Sequence, residues 1–292
     1  MSKIYFAPAW GQTSKEMVDV YKLQAPNLEP KWKDMEVTYS IMEADYLIVQ
    51  DYCEHPRLLD LFEPENIYYF GRETPGLGPI EDYSEMGINI FSWRDQSSYL
   101  YTKWQYPSGH IGAGVGTTYD ELKNIKTPPI KTKKLSCIQS KKRMCAGHNT
   151  RLDFLKNFIE KYSDKLDLYG SNEYSNSELK DDNKHNALNP YFYNIAFDNG
   201  QYPDYFATQF TDAILSWTVP IYWGCPNLDK YFPEKSYIKF DAYNFNEIDR
   251  IVNIVENDNY EERIDALKEA RELILDKYNL WPTIYNAING EL

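Results

Sequence analysis

The sequence predicts an α/β protein of two domains. Short apolar runs of strand length alternate with amphipathic helical stretches along the 292 residues. The length suits two α/β domains of ordinary size. A Gly-, Thr-, Pro- and Lys-rich stretch near the middle, within GHIGAGVGTTYDELKNIKTPPIKTKK, reads as the connection. The expected division is therefore residues 1–115, a linker over 116–134, and 135–292 with the C-terminal helices.

In the first half, Lys3 to Phe6 reads as a strand. A short helix follows through Tyr21, capped by Thr13 or Ser14, whose hydroxyls suit an N-cap. Further strands are expected at Glu36 to Tyr39, Tyr46 to Gln50, Ile67 to Phe70 and Ile88 to Trp93, with a helix over His55 to Phe62. The strand ending at Phe70 runs into GRETPGLGP, where Gly71, Pro75, Gly76, Gly78 and Pro79 break regular structure. Tyr99, Tyr101, Trp104 and Tyr106 are candidates either for core packing or for stacking on a sugar. The glycines of Ile111 to Gly116 lack a phosphate-loop Lys-Ser and read as a hinge.

The second half opens with a strand over Leu135 to Ser140 and a helix over Arg151 to Tyr162, capped by Asn149 or Thr150. A strand follows at Leu166 to Tyr169, then a polar loop, Ser171 to Asn186. The central stretch is YFYNIAFDNGQYPDYFATQFTDAILSWTVPIYWGCPN, Tyr191 to Asn227. It reads as a strand ending at Phe197, a polar loop, a helix from Phe206 to Trp217 and a strand from Val219 to Trp223. Ligands of open α/β sheets settle beyond the carboxyl ends of strands, where the next helix presents free N–H groups. The loop Asp198 to Tyr205 is thus either an anion site or the connection of an ordinary βαβ unit. A strand at Tyr237 to Phe240, a helix at Glu247 to Glu256 and a helix over Tyr260 to Tyr278 complete the reading.

Composition narrows the function. A net charge of −13 opposes general nucleic-acid or anionic-membrane binding, so an anionic ligand needs a local patch. One is offered by Lys131, Lys133, Lys134, Lys141, Lys142 and Arg143, which otherwise form a solvated basic loop. The 26 tyrosines and 7 tryptophans supply flat amphipathic faces suited to carbohydrate. Cys53, Cys137, Cys145 and Cys225 and the four histidines, His55, His110, His148 and His185, show no metal-ligand spacing and are expected to be structural or surface residues. No metal or other cofactor is expected. The chain enters its first strand at once, without a leader-like or long apolar segment, and a cytoplasmic location is expected.

Phe197-Asp198-Asn199, then Tyr205, Asp212-Ala213 and Val219-Pro220-Ile221-Tyr222-Trp223-Gly224, resemble the ungapped signature of the α-1,3-fucosyltransferase family, F-E-N, then Y-V-T-E-K, then V-P-I-Y-W-G. The resemblance implies a GT-B fold, two Rossmann-like domains facing a cleft. It also implies inverting, metal-independent transfer of fucose from GDP-fucose to a glycan hydroxyl, without a transmembrane segment in such soluble members. Glu73-Thr74-Pro75 resembles the family's E-S-P motif, and the resemblance implies that Glu73, otherwise a solvated loop residue, is the base that deprotonates the acceptor hydroxyl. Arg151 falls where the family has an Arg on the donor diphosphate. Asp198, Asn199, Tyr205, Thr208, Gln209 and Lys142 complete the implied donor set. Two positions depart from the pattern: the family's Glu and Lys of T-E-K are Thr208 and Gln209 here, and its F-E-N Glu is Asp198. These leave open a different nucleotide-sugar donor, or a glycan- or nucleotide-binding protein without catalysis.

Overall fold

In the computed structural model, which describes residues 1–72, 83–92, 104–105, 118–179 and 184–291, the chain forms two sheets. The first half contains β1 (Ser2–Phe6), α1 (Ser14–Tyr21), β2 (Lys31–Trp32), β3 (Met35–Val37), β4 (Tyr46–Gln50), β5 (Ile67–Gly71), β6 (Asn89–Ser92) and β7 (Trp104–Gln105). Its seven strands run in the order β2-β3-β1-β4-β5-β6-β7. All pair in parallel except β2 with β3. The near-continuous apolar runs of β4 and β5 belong to a sheet covered on both faces. Accordingly Leu47, Ile48 and Val49 are fully buried.

Thr13 caps α1 in a full capping box: its hydroxyl accepts from the Glu16 N–H while Glu16 accepts from the Thr13 N–H at 2.8 Å. The helix expected over His55 to Phe62 is a 3-10 segment, Pro56–Leu61. Pro56 opens it, and the pattern there is too short to hold an α-helix.

The second half comprises α2 (Tyr119–Asn124), β8 (Lys133–Ile138), α3 (Ala146–Lys161), β9 (Asp167–Tyr169), α4 (His185–Leu188), β10 (Tyr191–Phe197), α5 (Thr208–Leu215), β11 (Val219–Trp223), β12 (Ile238–Lys239), α6 (Glu247–Asn257), α7 (Ile264–Asp276) and α8 (Leu280–Asn289). Its five strands are all parallel, in the order β12-β11-β10-β8-β9. From β8 the chain moves outward to β9, and from β10 it moves the opposite way to β11. Right-handed crossovers therefore send α3 and α5 to opposite faces, and β8 and β10 flank a topological switch point.

Three sequence expectations are corrected here. α3 begins at Ala146 rather than at Arg151, because Cys145, with no side-chain cap bond, stands as N-cap. The helix expected over Tyr260 to Tyr278 is a 3-10 turn, Tyr260–Arg263, followed by α7. A further helix, α8, was not expected. Its Pro282 sits in the first turn, where a missing N–H costs nothing.

α8 does not join the half that precedes it. Leu280, Trp281, Ile284 and Ala287 pack with Ile4, Phe6, Val18 and Ile48 of the first sheet's core. Trp281 donates from Nε1 to the Tyr21 carbonyl at 3.0 Å and meets Phe6 edge-on at 6.2 Å between centroids. Asn279 Nδ2 reaches the Gln24 carbonyl at 2.7 Å. α2 is likewise shared between the halves: Asp120 accepts from the Asn27 N–H at 2.6 Å, and Lys123 and Tyr119 bind Asp276 of α7. Among the described residues no helix is long and apolar enough to cross a membrane.

Candidate donor site

The switch point is where the sequence-predicted residues of the second half gather. Phe197 ends β10, and Asp198, Asn199 and Gly200 turn away from the sheet between the first turns of α3 and α5. Gly147, the second residue of α3, lies against this turn so closely that a Cβ there would stand 2.0 Å from the Asn199 carbonyl oxygen. Only glycine permits that approach.

Arg151 sits in the second turn of α3, buried at 2% exposure. Its Nη1 donates to Asn199 Oδ1 at 3.1 Å and its Nη2 to Ser140 Oγ at 3.3 Å. With the Gln139 amide oxygen turned toward it, the guanidinium also donates from Nε at 2.7 Å. All these partners are neutral. Among the described residues Arg151 has no ion pair, and burial pulls its pKa down to about 10. Asp198 is near enough to feel this charge, but with only neutral oxygens bonded to it the guanidinium has charge left for a further anion.

His148 fixes the same amide from the other side. Its Nδ1 accepts from the Met144 N–H at 3.0 Å, so its Nε2 carries the proton and donates to Asn199 Oδ1 at 2.9 Å. Burial, with the charges of Arg151 and Lys142 behind it, holds the His148 pKa below its ordinary value. The sequence grouped His148 with structural or surface histidines. Its place in this cluster is one that spacing along the chain could not reveal.

Asp198 turns inward. Its carboxylate accepts from the Tyr222 hydroxyl and from the Ala207 N–H at 3.3 Å. Ala207 is the N-cap of α5, so Asp198 supplies the acceptor its side chain lacks. Tyr222 in turn accepts from the Cys225 N–H at 2.8 Å. A Cβ on Gly224 would lie 2.2 Å from the Tyr222 hydroxyl and 2.4 Å from Asp198 Oδ2. The sequence Y-W-G after a strand thus has a local reason: tyrosine reaches the aspartate only across a residue without a side chain. Burial raises Asp198 to about pKa 7, against the opposing pull of Tyr222, Ala207 and Arg151.

Thr208 and Gln209 form the half-buried first turn of α5, whose leading N–H groups face out of the helix end. Thr208 Oγ1 lies 3.2 Å from Gln209 Oε1. Tyr205 is buried at 2% exposure and packs edge-on against Tyr202 beside Ala207. The loop between is anchored through Asp204, which accepts from Asn227 Nδ2 at 2.9 Å, from Lys230 at 3.2 Å and from Tyr231.

The basic cluster of the sequence is split by the fold. Lys133 and Lys134 begin β8, whereas Lys141, Lys142 and Arg143 follow its far end. The last four residues of the strand and two more lie between Lys134 and Lys141, which places the two groups roughly 20 Å apart along the chain. Arg143 faces Asp153 and Glu173 at 4.0 and 3.6 Å, leaving the exposed Lys141 and Lys142 at the rim. Glu73, Tyr99, Tyr101, Tyr106 and the Ile111 to Gly116 glycines lie outside the described residues, and of Trp104 only the strand backbone is described. Among the described residues no group of histidine, cysteine, aspartate or glutamate is arranged to hold a metal.

Comparison with known proteins bears on the fold that carries this site. Residues 129–263 match the model of the glycosyltransferase family 10 (fucosyltransferase) C-terminal domain. An α-(1,3)-fucosyltransferase of Helicobacter pylori is 35% identical over 86 residues, 30% of this chain but only 15% of that enzyme's length. A crystal structure of α1,3-fucosyltransferase with GDP is 18% identical with a TM-score of 0.51, covering 96% of this chain and 82% of the other. The DNA-modifying enzyme β-glucosyltransferase is 13% identical with a TM-score of 0.53, covering 98% of this chain and 99% of the other. At these identities the structural likeness speaks to fold. The chain therefore has the GT-B glycosyltransferase fold, and its second half resembles the C-terminal domain of the α-1,3-fucosyltransferase family.

Proposed function

We propose that the chain is an inverting, metal-independent glycosyltransferase that moves a sugar, with GDP-fucose the favoured donor, onto a glycan hydroxyl. The observation that carries this is Arg151, a buried guanidinium held by neutral oxygens at a switch point between the N-termini of α3 and α5. Two helix ends and a cation without an ion pair suit a diphosphate. Asn199 and His148 would set the guanidinium's direction, Asp198 would hold the first turn of α5, and Lys142 would meet the diphosphate from the rim. Glu73 would take the proton from the acceptor hydroxyl as the hydroxyl oxygen bonds to the anomeric carbon and the nucleoside diphosphate leaves from the opposite face. A cytoplasmic site of action belongs to the same proposal and fits four cysteines that are all unpaired.

A second donor stays in view because of Thr208 and Gln209. Neither side chain carries a charge, so neither repeats the ribose acceptor and diphosphate cation of the T-E-K pattern. Calorimetric titration with GDP, UDP, ADP and CDP, followed by transfer assays with the corresponding nucleotide sugars and a glycan array, separates these readings. Tight binding of GDP with transfer from GDP-fucose supports the first. Preference for another nucleotide assigns the donor elsewhere. Failure of every nucleotide to bind refutes the transferase reading.

A further inference from the structure

We propose that Lys131, Arg271 and Trp217 form a binding site for a small monovalent anion at the end of the second sheet opposite the donor site. Ser216, Trp217 and Thr218 lead into β11, whose other end, Trp223, reaches the donor side. Lys131 Nζ donates to the Ser216 carbonyl at 2.8 Å and to Thr218 Oγ1 at 2.9 Å. The residue between them, Trp217, lies under the Arg271 guanidinium, 4.7 Å from ring centroid to Cζ. Two cations thus bracket one tripeptide.

No acid answers them: among the described residues neither Lys131 nor Arg271 forms an ion pair. Arg271 Nη2 donates to the carbonyls of Leu122 and Ile125 at 2.8 and 3.3 Å, but its Nη1 finds no partner. The same is true of Trp217 Nε1 and Ser216 Oγ. All three residues are at most 3% exposed. A water could satisfy buried donors but would leave the charge uncompensated, whereas an anion does both. One negative charge is enough: Arg271 keeps its proton, while burial and the neighbouring Arg271 charge bring Lys131 down to a pKa of about 7. The anion would staple α2, which also touches the first half, to α7 and β11.

The test is thermal melting of the whole chain at fixed ionic strength, with sodium chloride exchanged for sodium gluconate, together with the line width of ³⁵Cl in solution. Chloride should raise the midpoint along a saturating curve, as mass action requires for a ligand of the folded state. It should broaden the chloride resonance, and bromide should compete. Arg271→Met should abolish both effects; Lys131→Met and Trp217→Phe should shrink both. If Arg271→Met fails to fold, Lys131→Met decides. A midpoint that follows ionic strength regardless of the anion, as a water-filled gap would give, overturns the proposal. So does chloride broadening that is unchanged in Lys131→Met.

Discussion

Replacing Gly147 by alanine sets two physical effects against each other. Judged as a helix residue, Gly→Ala should stabilise α3 by roughly 0.5–1 kcal/mol. Judged by its surroundings, the new Cβ would stand 2.0 Å from the Asn199 oxygen, 2.4 Å from its carbonyl carbon and 2.9 Å from the Gly200 nitrogen. These are backbone atoms, so the turn must retreat by about 1 Å to restore even a tight contact, and overpacking of this kind costs about 1–3 kcal/mol. The bonds that turn carries, Arg151 and His148 to Asn199 at 3.1 and 2.9 Å, have little slack. Losing the charged one costs about 1.5–3 kcal/mol and the neutral one about 0.5–1.5 kcal/mol. The expected outcome is a net loss of about 1–3 kcal/mol in urea unfolding, with nucleotide-diphosphate affinity down about tenfold or more in calorimetry. A variant more stable than the wild type would refute the contact between α3 and the 198–200 turn, and with it the account of how Arg151 is aimed.

Four further outcomes are expected, three from this geometry and one, at Glu73, from the sequence motif. Arg151→Ala should weaken nucleotide-diphosphate binding about ten- to a hundredfold, the equivalent of a charged hydrogen bond, with unchanged calorimetric affinity as the contrary result. Glu73→Gln should lower transfer by about 10²- to 10⁴-fold while leaving donor affinity nearly intact; transfer at the wild-type rate would exclude Glu73 as the base. Because burial raises Asp198 to about pKa 7, the folded chain holds a proton there that the unfolded chain releases at lower pH. Its stabilising contribution is full below about pH 4 and lost as pH rises through 7, so Asp198→Asn should flatten the fall in unfolding free energy over that window. Thr208→Glu combined with Gln209→Lys should tighten GDP binding if GDP-fucose is the donor; no gain in GDP affinity, alongside strong binding of another nucleotide by the wild type, would favour the second donor.

How much of this was legible in the sequence depended on whether the signal was local. β10, β11 and the polar break at Asp198 could be read from uninterrupted apolar runs and turn residues, and the structure places those strands at Tyr191–Phe197 and Val219–Trp223. The start of α3 could not, since Cys145 is a poor cap and Ala-Gly-His carries no helical start signal. What fixes that start is the fit of Gly147 against a turn more than fifty residues away, which no window along the chain contains. α8 was lost for a related reason. Pro282 and the polar residues of LWPTIYNAIN weaken a helical pattern, and its burial comes from a sheet built by the first residues of the chain.

The departures from the family pattern look different once the packing is known. Asp198 is shorter than the family's glutamate, yet it reaches both the Ala207 N–H and the Tyr222 hydroxyl, because Gly224 leaves that space empty. The carboxylate's task here is to hold the helix end, and a shorter side chain performs it from within the core. Thr208 and Gln209 differ in kind, since they lie in the half-buried first turn of that helix and no neighbouring side chain in the turn restores the missing charges. Under the proposed function, the capacity to hold a diphosphate would rest on α3 more than on α5, since Arg151 is the buried cation there and His148 and Asn199 fix its direction. Affinity for a diphosphate should accordingly depend more steeply on Asn199 and Gly147 than on any residue of the α5 turn.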